Sequence, residues 1–309
     1  MHWKIKGVVQ KALSAVPGGM WLNDRMQRAA GGLKDFDASV DVRVEQDWIP
    51  LMDVLLAHDV RIDDREYLEI GTGWYAVLPV CFSLAGTRLC HTIDRVRHMS
   101  EPLTFKMMRR IQKHVPAIAR ASNCSLADVT RRYEDLMQAG NLNDLLRRAR
   151  IQYVAPGDAS KTGLAAGSLD IVFSNNVLEH VYPDEISTMM EESRRILKPG
   201  GLCVHCVACN DHYAHFDRGI TFVNYLQYPA SKWSFWNNDL HYQNRLRACD
   251  FVKRATTAGF NLVSQRVSES PGARVALAKF NIAPEFSKYS ADELVTTSIT
   301  FLAQSPGAK

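Results

Sequence analysis

The chain has 309 residues, of which 46% are hydrophobic and 23% are charged, so it can bury a full core and is not a disordered chain. Its formal net charge of +4 is too small to indicate a nucleic-acid partner by itself. We find no apolar run of about 18 residues that would predict a transmembrane segment, and no signal-peptide pattern at the start. Because the seven cysteines accompany no export signal, we expect reduced thiols and a cytoplasmic protein.

The first 60 residues are predicted to form an N-terminal helical cap. Apolar side chains recur at helical spacing over residues 47–58, and residues 21–30 show a similar pattern. The pattern changes near Arg65, so we predict that residues 61–309 form the main domain.

The main domain begins with a predicted strand, a glycine turn and a helix. Residues 67–70 predict a short strand, Gly71 and Gly73 interrupt it, and residues 76–84 resume a helical apolar pattern. Glycine lacks a Cβ and tolerates positive φ, so the backbone of this turn can approach a ligand closely. On its own, the turn is weak evidence, because the same glycines could simply make a tight connection from the strand to the helix.

A second predicted strand, residues 88–93, ends at Asp94, which follows the glycines by about 20 residues, as expected of a ribose-binding acid in dinucleotide-type folds. Residues 96–148 then interrupt the alternation, and we interpret them as a helical insertion. Between residues 95 and 150 there are twelve basic and five acidic side chains. We therefore expect either a surface that guides an anionic acceptor, a solvated face or a subunit contact.

The alternation of strands and helices resumes after the insertion and predicts a parallel α/β sheet. The predicted strands are residues 151–155, 169–174 and 202–208, followed by strand-like residues 260–267 and 298–303. A helix is predicted over residues 183–197, and the turn 198–201 precedes the strand that begins at residue 202.

Five ordered features follow these elements: Glu69, Asp94, Gly157-Asp158-Ala159, Asn175 to His180 with its VLEH segment, and the LKPGG turn at residues 197–201. In this order they resemble the class I S-adenosylmethionine-dependent methyltransferase family, particularly its small-molecule and glycan O-methyltransferase branch, over roughly residues 61–305. The resemblance implies a Rossmann-like, mostly parallel seven-stranded sheet with helices on both faces, and S-adenosylmethionine as the cofactor.

The resemblance also implies the cofactor-binding residues, which are Glu69, Gly71, Thr72, Gly73, Asp94, Asp158, Ala159 and Asn175. The two glycines would border the methionine part, Asp94 would accept hydrogen bonds from the ribose hydroxyls, and Asp158 would meet the adenine amino group. Asn175 would lie beside the amino-acid end of the cofactor. One departure from the family pattern is Tyr75, which replaces the common third glycine and follows Trp74. We expect these two rings to crowd the loop.

Candidate catalytic residues follow the fourth and fifth predicted strands. His180 is the leading candidate for a general base, because imidazole titrates near neutral pH and this edge of the sheet binds ligands in such folds. His212 is its rival, in the polar segment 210–217 that could also form a carbohydrate clamp, a metal site or a plain surface loop. No fixed ligand spacing is met there, so we predict no metal. The cysteine run Cys203, Cys206 and Cys209 is predicted to act as small buried hydrophobes.

An aromatic segment, residues 225–242, ends in Gln243-Asn244-Arg245 and suits a sugar, whose apolar face stacks on rings while its hydroxyls form hydrogen bonds. We therefore predict O-methylation of a sugar or glycan-like hydroxyl acceptor, either anionic or lipid-linked. The alternatives are another natural product or an amine as acceptor, and a cofactor-binding regulatory protein that contacts nucleic acid or a membrane. A homo-oligomer is left open, and nucleic acid is disfavoured because the basic and aromatic residues lie in different segments.

Overall fold

The computed structural model describes residues 2–16, 19, 22, 35–238, 240 and 242–307. The helix predicted over residues 21–30 lies outside the described residues except for Leu22, and so does His241 of the aromatic segment. The chain divides into two compact units. Unit 1 comprises residues 1–34, 176–190 and 204–304, and unit 2 comprises residues 35–175, 191–203 and 305–309. The predicted boundary between a cap, 1–60, and a main domain, 61–309, stays a prediction.

Seven strands form one sheet in the order β3-β2-β1-β4-β5-β7-β6. They are β1 Glu66–Ile70, β2 Leu89–Ile93, β3 Ile151–Val154, β4 Leu169–Asn175, β5 Leu197–Ala208, β6 Asn261–Glu269 and β7 Thr296–Gln304. Strand β1 pairs in parallel with β2 and β4, β2 pairs in parallel with β3, and β6 and β7 form an antiparallel pair. The predicted Rossmann-like, mostly parallel seven-stranded sheet is thereby confirmed.

Helices connect most of these strands. Those before and after the glycine turn are α1 Trp3–Ser14, α2 Phe36–Val42, α3 Ile49–Ala57 and α4 Val77–Leu84, with a π-helical segment Arg43–Trp48 between α2 and α3. The segment predicted as a helical insertion contains α5 Glu101–Ile111, α6 Val115–Ala121, α7 Leu126–Met137 and α8 Leu142–Arg148. The remaining helices are α9 Pro183–Ile196, α10 Ala230–Trp236, α11 Ala248–Thr257, α12 Ala273–Leu277 and α13 Ala291–Val295. Among the described residues, no helix is long and apolar enough to cross a membrane.

The core of unit 2 is built around the β1 face of the sheet. Phe82 of α4 stacks on Tyr67 of β1 with ring centroids 4.7 Å apart, and it also packs on Phe173 of β4 at 5.1 Å. All three rings are buried. Full burial of each such side chain stabilises the fold by about 1.5–3 kcal/mol, so these contacts hold α4 against β1 and β4.

The core of unit 1 is aromatic and contains the buried side chain of Arg247. Trp3 of α1 packs on Tyr213 and Trp233, with ring centroids 5.3 and 6.3 Å away. Arg247 is fully buried, and its guanidinium donates hydrogen bonds to the carbonyl of Cys209 at 2.9 Å and to the hydroxyl of Tyr225. The apolar stem and the satisfied donors make the burial of this cation tolerable.

Strand β5 begins earlier than predicted. The predicted turn 198–201 is part of β5, which starts at Leu197. The Gly200 N–H donates to the Ser305 carbonyl at 3.0 Å, and the Ser305 N–H donates to the Gly201 carbonyl at 2.8 Å. Gly200 has a φ of +78°, so glycine lets the backbone bend there while these hydrogen bonds continue. The pairing residue follows a hundred positions later in the chain, so local sequence does not reveal it.

Candidate functional site

In unit 2, the loop after β1 is a glycine turn that is hydrogen-bonded to Asp94, the residue that follows β2. Gly71 and Gly73 have φ values of +82° and +78°, in the left-handed region that favours glycine. The Gly73 N–H donates to the Asp94 carboxylate, at 3.3 Å from Oδ1 and 3.2 Å from Oδ2. Among the described residues, no atom lies within 4 Å of the position that a Cβ on Gly73 would occupy. A ligand can therefore approach this backbone closely.

Asp94 is buried and is held by a second donor that the sequence did not reveal. The Tyr153 hydroxyl donates to Asp94 Oδ2 at 2.9 Å. Burial raises the pKa of Asp94, and the hydrogen bonds from Tyr153 and Gly73 oppose that rise. Because a carboxylate has about four lone-pair sites, Asp94 keeps capacity for further donors such as ribose hydroxyls. Tyr153 is opposite Thr92 in the β2–β3 pair, and only that pairing brings it to Asp94.

In the loop after β3, Gly157 packs closely against Ile93, whereas Asp158 is exposed. A Cβ on Gly157 would lie 2.5 Å from Ile93 Cγ1, so only glycine fits, and the Gly157 N–H donates to the Asp94 carbonyl at 2.9 Å. Asp158 is exposed, and its Oδ1 accepts hydrogen bonds from the Ser160 N–H at 2.8 Å and the Ser160 hydroxyl at 2.7 Å. These bonds lower the pKa of Asp158. Its neighbour Ala159 is half-buried.

Glu69 and Thr72 lie inside unit 2 rather than at its surface. Glu69 is buried near the end of β1 and accepts a hydrogen bond from the Thr92 hydroxyl at 3.2 Å. Burial raises the pKa of Glu69 to about 7. Thr72 is also buried. Both residues are therefore placed to shape the glycine turn, and their direct contact with a cofactor stays a prediction.

Asn175 ends β4, and its Nδ2 donates to Asp47 Oδ2 at 2.7 Å. Burial raises the pKa of Asp47, while the positive charge of Arg43 lowers it. The charge of Arg43 also lowers the pKa of Glu69, and its guanidinium carbon is 5.7 Å from the centroid of the Tyr75 ring. Arg43 thus places a cation near the ends of β1 and β4. Sequence reasoning assigned Arg43 and Asp47 to the cap and missed both.

The expectation that Trp74 and Tyr75 crowd the loop is wrong for Tyr75. This side chain is buried, its ring packs on Phe36 of α2 with centroids 4.8 Å apart, and its hydroxyl lies 3.0 Å from the Ser39 hydroxyl. Trp74 is half-buried, and its carbonyl accepts the Ser100 N–H at 3.0 Å. The tyrosine joins the core because α2 supplies a place for it, which the local sequence could not show.

In unit 1, the two candidate bases meet a carboxylate that sequence reasoning did not select. Glu179, His180 and His212 each offer one ligand atom, and these atoms all lie within 4.8 Å of one another. The two histidine ring centroids are 5.1 Å apart. Glu179 is only 1% exposed, and burial raises its pKa to about 8. The adjacent position of Glu179 in the VLEH segment was the one signal that could have pointed to it.

The ring of His180 has a defined tautomer. Its Nδ1 lies 2.8 Å from the Tyr242 carbonyl oxygen, and a carbonyl only accepts hydrogen bonds, so Nδ1 carries the proton. Nε2 of the neutral ring is therefore an acceptor. The residue as a whole is exposed, although the protein around its ring nitrogens partly desolvates them and lowers the pKa of His180. Because the side chain is exposed, it can reach a ligand.

Two consecutive residues brace both histidine segments. Asn244 Nδ2 donates to the carbonyls of Leu178 at 2.7 Å and Val181 at 2.8 Å, and the Asn244 N–H donates to the Glu179 carbonyl at 2.7 Å. Gln243 Oε1 accepts the His212 N–H at 3.2 Å. The sequence favoured Gln243 and Asn244 as acceptor contacts, but these hydrogen bonds give them a structural role.

The aromatic segment is divided between core and surface. Tyr225 and Trp233 are buried and pack in the core of unit 1. The rings of Tyr242 and Tyr182 pack with centroids 4.2 Å apart and are tilted by 38°, and Tyr182, which lies outside the segment, is 43% exposed. This tyrosine pair adjoins His180 through the Tyr242 carbonyl. The pair can therefore contact a ligand.

Two of the three cysteines in the run Cys203, Cys206 and Cys209 are buried. Cys203 and Cys209 are buried, as predicted for small hydrophobes, and Cys206 is half-buried. Burial raises the pKa of Cys209 to about 12, so its thiol stays protonated at neutral pH.

Several of the basic side chains between residues 95 and 150 form ion pairs with acidic side chains of unit 2. Arg110 binds Asp41 through two hydrogen bonds, of 2.8 and 2.5 Å, and Lys113 reaches the same carboxylate at 2.7 Å. Arg148 pairs with Asp144 at 3.1 Å. The net positive charge therefore overstates how many cations are available to an anionic acceptor.

Residues 122–205 match the model of a family described as a methyltransferase domain. The matched range runs from the end of α6 through β3, β4 and α9 into β5, and it does not include the glycine turn or Asp94. No curated protein matches this sequence.

Solved structures similar to this chain include magnesium protoporphyrin IX methyltransferase from Synechocystis PCC 6803 with bound SAH, at a TM-score of 0.49 and 13% identity over 91% of this chain and 92% of that one. A putative methyltransferase in complex with the Trm112 activator of Haloferax volcanii has a TM-score of 0.45 and 14% identity, over 90% and 97% of the chains. A SAM-dependent methyltransferase of Methanosarcina mazei has a TM-score of 0.43 and 16% identity, over 82% and 98%. These distant likenesses carry no argument about the acceptor.

The Rossmann-like sheet and the matched methyltransferase domain define the class of protein. The chain is a methyltransferase enzyme, and its cofactor is S-adenosylmethionine.

Proposed function

We propose that this methyltransferase acts on a hydroxyl of a sugar or glycan-like acceptor. The observation that carries the proposal is the arrangement of His180 beside Tyr182 and Tyr242, a partly exposed pair of rings tilted by 38° to each other. The tyrosine rings offer an apolar surface for the face of a sugar ring, and His180 Nε2 offers a hydrogen-bond acceptor for a hydroxyl. Both features belong to unit 1.

The chemistry requires alignment and removal of one proton. The acceptor oxygen forms a bond to the methyl carbon while the bond from that carbon to the cofactor's sulfonium sulfur breaks, which yields S-adenosylhomocysteine. A hydroxyl is a poor nucleophile while it keeps its proton, so a positioned acceptor such as His180 Nε2, or its rival His212, would take that proton. The two histidines lie in one cluster, so either can serve this role.

The cofactor would be held by unit 2. We propose that Asp94 accepts hydrogen bonds from the ribose hydroxyls, that Gly71, Thr72 and Gly73 border the methionine part, and that Asp158 with Ala159 meets the adenine. The supporting observations are the open space beside Gly73 and the buried, oriented carboxylate of Asp94. Glu69 and Asn175 shape the strand ends from which these loops emerge.

Arg43 is our candidate for the cofactor's own carboxylate. The charge of its guanidinium acts on the buried Glu69 and on the half-buried Asp47, which binds Asn175 at the end of β4, and a guanidinium binds a carboxylate through paired hydrogen bonds. Replacing Arg43→Gln should weaken S-adenosylhomocysteine more than about tenfold, the effect of losing roughly 1.5 kcal/mol or more. Binding of 5′-methylthioadenosine, which lacks the carboxylate, should be unchanged. Equal losses for both ligands would contradict the assignment.

The acceptor proposal is tested by methyl transfer to a panel of nucleotide sugars, lipid-linked glycans, oligosaccharides and amines, with release of S-adenosylhomocysteine as the readout. In the enzyme with an identified acceptor, His180→Ala or His212→Ala should lower turnover about 100- to 10,000-fold and leave cofactor affinity unchanged. His215→Asn, in the same loop as His212, is the matched control. Methylation of amines alone, or full turnover in both histidine variants, would rule out the hydroxyl proposal.

The basic segment is proposed to guide an anionic acceptor. Arg110 is unsuitable for testing this role because its loss would break the pairing with Asp41. Arg109→Ala should reduce kcat/KM toward an anionic acceptor, and the difference from the unmodified enzyme should shrink as ionic strength rises. An unchanged kcat/KM at low salt would remove the guiding role.

A further inference from the structure

We propose that Glu179, His180 and His212 form a binding site for a divalent transition-metal ion. This inference stands apart from the acceptor proposal and rests on it only for its catalytic consequence. It differs from the sequence-based expectation of no metal, because the three residues come together only when the turn after β4 meets the loop after β5.

The first observation is the geometry of the cluster. The three ligand atoms lie within 4.8 Å of one another. In a site with bonds of about 2.0–2.2 Å, neighbouring ligand atoms are about 3–3.5 Å apart. Rotation of the half-buried His212 side chain can close that difference, while the His180 ring stays hydrogen-bonded to the Tyr242 carbonyl.

The second observation is the unpartnered carboxylate. Glu179 is 1% exposed, and neither of its carboxylate oxygens accepts a hydrogen bond of ordinary geometry. The backbone N–H groups of Glu179 and Ala208 favour the charged form, but burial outweighs them, and the pKa of Glu179 is raised. Burying a carboxylate without a partner costs several kcal/mol, and a cation bound by the adjacent imidazoles would offset that cost.

The third observation is the orientation of His180. Its Nδ1–H donates to the Tyr242 carbonyl at 2.8 Å, so Nε2 is the ligand atom. Histidines that bind metals almost always donate their other ring N–H in this way, because the hydrogen bond fixes the tautomer and the ring. The bracing by Gln243 and Asn244 described above holds the backbone of both ligand segments in place.

Asp211 is not part of this cluster, and its carboxylate oxygens bind other partners. Its Oδ1 accepts the Tyr213 N–H and its Oδ2 accepts Asn224 Nδ2, each at 2.9 Å. The protein therefore supplies two imidazole nitrogens and one carboxylate. This set favours Zn²⁺, Mn²⁺, Fe²⁺ or Co²⁺ over Mg²⁺ and Ca²⁺, which prefer oxygen ligands, and three protein ligands leave a coordination position open. An acceptor hydroxyl bound there would lose its proton more readily, and because both imidazoles would then be ligands, that proton would pass to water instead of to a histidine.

The test uses the full-length purified protein after dialysis against a chelator. Calorimetry with Zn²⁺, Co²⁺ and Mg²⁺, and the visible absorption of bound Co²⁺, report binding without any acceptor. We expect one Zn²⁺ or Co²⁺ per chain, a higher Tm with metal, and much weaker binding of Mg²⁺. Glu179→Gln and His212→Gln should weaken Co²⁺ more than about 100-fold, while His215→Asn should bind it normally.

Several results would overturn the site. These are no binding of Zn²⁺ or Co²⁺ at millimolar concentration, stronger binding of Mg²⁺, or equal Co²⁺ affinity in Glu179→Gln and His212→Gln when both variants retain their S-adenosylhomocysteine affinity. Once an acceptor is known, chelation should abolish turnover and leave S-adenosylhomocysteine affinity unchanged. Metal binding without methylation of any hydroxyl acceptor would reject the acceptor proposal and keep the metal site.

Discussion

The hydrogen bond between Tyr153 and Asp94 gives the sharpest test of the cofactor site. Asp94→Asn keeps the size of the side chain but replaces one accepting oxygen by an N–H₂ group that can only donate. If the carboxylate binds the ribose hydroxyls, S-adenosylhomocysteine should lose about 1.5–3 kcal/mol, the range for a hydrogen bond to a charged group. This corresponds to roughly a 10- to 150-fold higher Kd.

Tyr153→Phe should weaken S-adenosylhomocysteine binding in the same way but to a smaller degree. It removes the hydroxyl that donates to Asp94 Oδ2 at 2.9 Å, and the Gly73 N–H still donates to this carboxylate. We expect a smaller loss of about 0.5–1.5 kcal/mol, because Asp94 is less firmly oriented but still present. The double variant should lose little more than Asp94→Asn alone, since the tyrosine acts through the carboxylate.

Calorimetric titration with S-adenosylhomocysteine measures these affinities, and the Tm of each variant excludes simple unfolding. NAD serves as the control ligand, because a dehydrogenase would share the glycine turn and the acid. An Asp94→Asn protein that binds S-adenosylhomocysteine within twofold of the unmodified chain would refute the ribose assignment. Additive losses in the double variant would refute the positioning role of Tyr153.

Three further predictions concern stability and loop geometry. Gly157→Ala should weaken S-adenosylhomocysteine binding, because its Cβ would lie 2.5 Å from Ile93 Cγ1; unchanged calorimetry would contradict this. The pKa of Glu69 is raised to about 7, so the folded protein keeps this proton to a higher pH than the unfolded chain does. The free energy of unfolding should therefore fall as the pH rises from 4.5 to about 7, by at most roughly 3 kcal/mol. Denaturant titrations of Glu69→Gln should lack that fall. Arg247→Met should cost about 3 kcal/mol or more in urea unfolding, because it leaves buried carbonyls such as that of Cys209 unpaired; a loss below 1 kcal/mol would contradict it.

The sequence by itself determined the class of fold and the positions where strands end. Alternating apolar runs with glycine breaks predicted β1, β2, β3 and β4 to within a residue or two, because strand length and turn chemistry are local properties. Asp94 and the VLEH segment were selected for the same reason, since each directly follows a strand.

The tertiary structure decided which residues complete the sites. Tyr153 reaches Asp94 only through the pairing of β3 with β2, and Asp47 reaches Asn175 across more than a hundred residues of chain. Tyr75 was expected to crowd the glycine turn and instead enters the core, because α2 presents Phe36. Glu179 is buried, and it lies close to His212, which belongs to a loop distant in the sequence. Periodicity and spacing report on neighbours along the chain, whereas burial, ion pairing and ligand convergence depend on neighbours in space.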